Sequence, residues 1–150
     1  MRKSWWKIIC VCILFYTFAG GLLFSVPARE ILHESIRNLF FHVCMWFSMM
    51  ILLGTSVVYS VKYLRTQNLQ HDIYAVNFAK IGILFGVLGY ATGAVWAKYT
   101  WTEFADASQI FTEPKLTGAA IALLIYFAYL VLRGSLTDID KKARISAVYN

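Results

Sequence analysis

His42, Trp96, Trp101 and Lys115 are the residues of this chain whose types could do chemistry together. A neutral imidazole carries one nitrogen lone pair, which can bind a metal or accept a hydrogen bond. The stretch 96–117, WAKYTWTEFADASQIFTEPKLT, adds an aromatic set of Trp96, Tyr99, Trp101, Phe104 and Phe111. Such rings could form a platform for a flat apolar ligand, with Lys98 and Lys115 available to its acidic groups. The competing reading is an interfacial anchor. Trp and Tyr favour the headgroup zone, where the ring meets lipid and the N–H or O–H meets water.

The elements that must position these residues are membrane spans. The chain is 59% apolar and only 15% charged, against about a quarter charged in soluble domains. Its apolar residues fall into four runs, at about 8–26, 39–61, 73–96 and 116–132. Each is near the length needed to cross about 30 Å of hydrocarbon as a helix. The expected fold is therefore all-α: a single integral membrane domain over 1–150 with four transmembrane helices. The stretch 96–117 is then a long loop between helices 3 and 4. The first run, with Arg2, Lys3 and Lys7 before it, also has the form of a signal peptide. Its length and the flanking Trp5 and Trp6 favour a retained span. Residues 133–150 read as a polar tail or as the lead-in to a further span beyond this chain.

Within the spans, Lys80 must snorkel or find a partner, because a bare ammonium in lipid is costly. Gly82, Gly86, Gly89 and Gly93 form one helical stripe, which suits close packing of a neighbouring helix or a slot for a planar ligand. Cys10 and Cys12 point to different sides of one helix and cannot clasp one metal. With Cys44, they are expected to act as small apolar packing residues.

Orientation follows from the cations outside the spans. Arg2, Lys3, Lys7, Lys62, Arg65, Arg133, Lys141, Lys142 and Arg144 would share one side. Arg29, Arg37, Lys98 and Lys115 would share the other. The richer side should be cytoplasmic, giving an N-in, C-in arrangement with the 96–117 loop outside. The net charge of +6 is thus distributed among loops and gives no basic surface for nucleic acid.

This topology sets His42 about one turn inside the second span, at the same side as the aromatic loop. An imidazole there can simply hydrogen-bond at the interface. Imidazole is also the usual axial ligand of haem iron, and haem is a flat apolar ring bearing two carboxylates. The run Ile36, Arg37, Asn38, Leu39, Phe40, Phe41, His42, Val43, followed by Met45 and Trp46, resembles the segment that carries the first haem-ligand histidine in the cytochrome c maturation protein C (haem exporter protein C) family. The aromatic loop is similar to that family's Trp-rich outer loop, with Thr112, Glu113, Pro114, Lys115, Leu116 and Thr117 in place of its closing Trp-Asp-x-Arg-Leu-Thr.

The resemblance covers essentially the whole chain, and it has departures. The family's central tryptophans are missing after Trp101; its Asp and Arg are replaced by Glu113 and Lys115; Cys44 stands where proline is usual. Lys keeps the charge of Arg but loses its planar fork. The resemblance implies a non-catalytic role: transient binding of haem b at the outer face of a bacterial cytoplasmic membrane, and its presentation to a haem chaperone beside other cytochrome c maturation subunits. His42 would be the axial ligand, with Trp96, Trp101, Phe104, Glu113 and Lys115 around the ring. The family continues through two more spans that flank a second axial histidine, so that ligand is expected outside this chain. His33 and His71 read as ordinary polar residues. Two other classes remain: a four-helix membrane anchor whose His42 only hydrogen-bonds, and a b-type electron-transfer subunit, which would want paired histidines across two spans.

Overall fold

Backbone that enters hydrocarbon must satisfy its own N–H and C=O groups, so apolar runs of this length become helices. The computed structural model describes residues 4–27, 30, 32–100 and 113–150, and among them it contains helices and no strand. Helix α1 is Trp5–Leu23, α2 Leu39–Thr66, α3 Leu69–Thr100, α4 Pro114–Ser135 and α5 Ile139–Tyr149. A 3-10 helix, His33–Asn38, leads directly into α2. Four of these, α1 to α4, are long and apolar enough to cross a membrane. Their outward surfaces carry large apolar side chains such as Phe15, Ile51, Leu84 and Val131, as lipid-facing helices require.

The helices outrun the apolar stretches that mark them. Helix α3 continues to Thr100, and α4 begins at Pro114, where proline is favoured because its missing N–H would have no helical partner. Trp96 and Lys115, expected in a loop, therefore stand on helices. Trp101 and Phe104 lie outside the described residues.

Helices α2 and α3 form the central hairpin. Gln67 closes α2 in the left-handed region, φ 54°, and its N–H returns to Tyr63 O. Asn68 then opens α3 by accepting the Gln70 N–H at 2.9 Å. The glycine stripe is the packing seam of this hairpin. A Cβ on Gly82 would meet Leu53 at 2.7 Å, and one on Gly86 would meet Leu123 at 2.7 Å and Met49 at 2.9 Å. At Gly82 and Gly86 side chains of α2 and α4 fill the stripe and leave no slot, whereas Gly93, at its other end, borders a cavity.

Polar ties fix the end of the bundle away from His42. Ser56 donates to Ala75 O at 2.8 Å across α2 and α3. Arg133, in the last turn of α4, forms a two-pronged pair with Asp72 in the first turn of α3, at 2.7 and 2.5 Å. Each charge also suits the helix end on which it lies. Helix α5, capped by Asp138 on the Lys141 N–H, packs Ala143 and Ala147 against Tyr63. Asn150 reaches Ser56 and Ser60 at 2.7 Å, so α5 runs antiparallel along α2.

Helix α1 lies at the edge. Arg37 holds its end by donating to the carbonyls of Gly21 and Phe24, while pairing with Glu34 at 2.8 Å. Phe18 stacks on Phe41 with ring centroids 5.4 Å apart. The expected packing role of the cysteines is not borne out: Cys10, Cys12 and Cys44 are all exposed on outward helix faces. A small side chain can face lipid as readily as a core. Lys80 is likewise exposed on α3.

Candidate functional site

His42 lies in the first turns of α2, on the face turned toward α3. Its Nδ1 is 2.9 Å from Gly89 O and 3.2 Å from Thr92 Oγ1. A carbonyl can only accept, and the Thr92 hydroxyl already donates to Leu88 O at 2.9 Å. Nδ1 therefore carries the proton and donates it to Gly89. The lone pair is left on Nε2, where the Trp46 Nε1–H donates to it at 3.1 Å. This is a neutral imidazole whose second nitrogen is anchored on a backbone carbonyl, the arrangement that orients histidines bound to metals.

The ring has room only because residue 93 is glycine. A Cβ there would lie 2.5 Å from His42 Cε1. On another side, Trp96 meets the imidazole at an edge-on angle of 69°, with centroids 5.8 Å apart. Trp96 is itself held by donating to Ser35 Oγ at 3.2 Å, so the 3-10 helix positions an α3 aromatic. Asn38 adds a second tie to α3, donating to Thr92 O at 3.2 Å.

These side chains border a cavity of about 720 Å³ between α2, α3 and α4. His42, Trp46 and Trp96 form one wall, and Lys115, Leu116 and Gly118 of α4 the opposite one. Nothing stands within 4 Å of the place where a Gly118 Cβ would be, which keeps that wall open. The volume is in the range of about 300–1,000 Å³ for small-molecule and cofactor pockets, and the lining is mostly apolar with few polar groups.

The structure thus brings three of the expected residues, His42, Trp96 and Lys115, to one cavity. Glu113 precedes α4 with an extended backbone, φ −68° and ψ 118°, and is not among the residues lining it. His33 is exposed in the 3-10 helix. His71 sits near the opposite end of α3, with its ring 5.9 Å from that of Tyr59. The residues that sequence reasoning did not assign to the site are Trp46, Gly89, Thr92 and Gly93. Trp46 follows His42 by four, one helical turn, and that spacing was the available signal.

Among the described residues, no three His, Cys, Asp or Glu side chains gather to hold a bare metal ion. A single oriented imidazole on an apolar cavity suits a metal already held within a flat ring. Their chemistry is compatible with haem, for which His42 Nε2 would be the candidate ligand among the described residues.

A family profile described as Heme exporter protein C matches residues 1–150. Among individual proteins, the chain is 38% identical over 84 residues to a protein of Pelargonium hortorum named Cytochrome c biogenesis protein CcsA, covering 55% of this chain and 25% of that one. A protein of the same name from Atropa belladonna is 29% identical over 155 aligned residues, covering 97% of this chain and 47% of its own length. That from Solanum bulbocastanum is 28% identical over 141 residues, covering 87% and 44%. The chain spans about half the length, or less, of these relatives.

Proposed function

Because the chain belongs to the heme exporter protein C family, we propose that it binds haem b transiently in the α2–α3–α4 cavity and presents it for cytochrome c maturation. Membership supports the general role in cytochrome c maturation. The observation that carries the specific reading is His42: a neutral imidazole, anchored through Nδ1, that lines a cavity whose size and apolar walls suit a flat ring. His42 Nε2 is the axial iron ligand in this reading, and Trp96 supports the ring edge. Lys115 meets a propionate. The roles expected of Trp101 and Phe104 fall on residues outside those described, and Glu113 precedes α4 without lining the cavity. The second axial position is filled by a group from outside these residues.

Bound haem supplies no reaction here. The role of the chain is to hold, orient and release it, and the family is a haem-handling one. The proposal sets the His42 end at the outer face of a bacterial cytoplasmic membrane, on the distribution of Lys and Arg between the loops. There the haem passes to a haem chaperone beside other maturation subunits.

The second reading is a membrane anchor or assembly subunit. It is favoured by the fact that both ring nitrogens of His42 already have hydrogen-bond partners. Haem titration of the purified chain in detergent separates the two. On the haem reading, His42→Ala loses most of the bound-haem absorbance, and added imidazole restores part of it. His71→Ala changes nothing, since His71 lies toward the far end of α3. Equal haem binding by native protein and His42→Ala would leave the anchor reading.

A further inference from the structure

Nε2 of His42 is both the nitrogen that would bind iron and the nitrogen that now accepts the Trp46 indole N–H at 3.1 Å. One lone pair cannot serve both partners. The Nδ1 side is fixed by Gly89 O, and Gly93 leaves the ring no space to retreat toward α3. The imidazole therefore stays in place, and any exchange of partner must be made by the indole. Trp46 is free enough to do this. It is half-buried, it borders the cavity, and the glycine beneath it leaves only ordinary contact, with a Gly89 Cβ position 3.5 Å from its Nε1.

We propose that Trp46 is a displaceable cap on His42: its N–H occupies the axial lone pair in the haem-free protein and gives it up when haem binds. The inference rests on the haem reading of the cavity. Its consequence is an opposing hydrogen bond that must be broken on every binding event and reforms on release. An opposing bond of ordinary net strength weakens binding by about 2- to 10-fold. Such a device suits a carrier that must let its cargo go. No proton has to leave the site during the exchange, because the imidazole proton stays on Nδ1 and the indole keeps its own. Trp46 is a positioning residue here, acting through His42.

The test uses the full chain in detergent and two readouts. The first needs no haem: acylation of His42 by diethyl pyrocarbonate, followed by mass spectrometry, with His33 and His71 as internal references. Trp46→Phe keeps a large ring but removes the N–H, so His42 acylation should accelerate several-fold while the reference histidines keep their rates. In the unmutated ring, the Trp46 indole N–H resonance should shift when His42 is replaced by alanine, which covers the case of a Trp46→Phe protein that folds poorly. The second readout is ferric haem binding, in which Trp46→Phe should raise affinity by about 2- to 10-fold. Unchanged acylation together with an unmoved indole resonance overturns the cap. Faster acylation with unchanged haem affinity, in a protein whose His42→Ala form has lost haem, overturns its role in binding. Haem retention by His42→Ala instead overturns the haem reading, and is recognised separately because the acylation and resonance measurements are made without haem.

Discussion

Gly93 and His42 face each other across the α2–α3 seam so closely that a Cβ on Gly93 would stand 2.5 Å from His42 Cε1. Further along the same stripe, added Cβ atoms at Gly82 and Gly86 meet the ends of leucine and methionine side chains, which can turn aside. At Gly93 the obstacle is the proposed ligand itself, held by its bond to Gly89.

Gly93→Ala should therefore separate stability from binding. Alanine gains about 0.8–1.0 kcal/mol of helix propensity over glycine, which offsets part of the local crowding. The melting temperature in detergent should move little, while the imidazole is pushed off its seat and haem affinity falls at least about tenfold, the loss of one well-placed ligand contact. Gly86→Leu should do the reverse, lowering stability by about 1–3 kcal/mol through overpacking. A Gly93→Ala protein with native haem affinity would show that the seat is not needed.

Lys115 lines the cavity from the first turn of α4, and it is exposed. Its attraction for a propionate is screened by water, so Lys115→Glu should weaken haem binding by only about 2- to 5-fold, and less at high salt. Titrations at two ionic strengths check this. A loss as large as that of His42→Ala would make Lys115 structural.

Arg133 and Asp72 join α4 to α3 with side chains only 15% and 9% exposed. Removing one partner strands a buried charge, so Arg133→Ala should cost about 3–5 kcal/mol. Replacing both, as Asp72→Asn with Arg133→Met, should cost less than Arg133→Ala alone. Denaturant melts of the three proteins measure it, and a double variant weaker than the single one would refute the pairing argument.

The orientation rests on the placing of Lys and Arg. In a cysteine-free background, Ser135→Cys should react with an impermeant thiol reagent only from the cytoplasmic side. Ser108→Cys, in the segment outside the described residues, should react only from the other side. Labelling of both from one side would refute the arrangement.

The membrane helices were legible in the sequence because hydrocarbon leaves a lone segment no alternative to bonding its own backbone, so run length and apolarity alone suffice. The same holds for the side chains whose chemistry is intrinsic: the imidazole of His42, the indole of Trp96, the ammonium of Lys115. Helix ends were less legible, since α3 runs past its apolar stretch to Thr100, and nothing in leaving lipid obliges a helix to stop. What the tertiary structure decided is which atoms meet. The Gly89 carbonyl that fixes the proton on Nδ1 is 47 residues from His42, and the Ser35 hydroxyl that holds Trp96 is 61 residues away. Helical periodicity told that Gly89 and Gly93 share a face, but the axial register of α2 against α3 selects which glycine receives the imidazole. That register is set by packing along the whole hairpin, and no local pattern around His42 contains it.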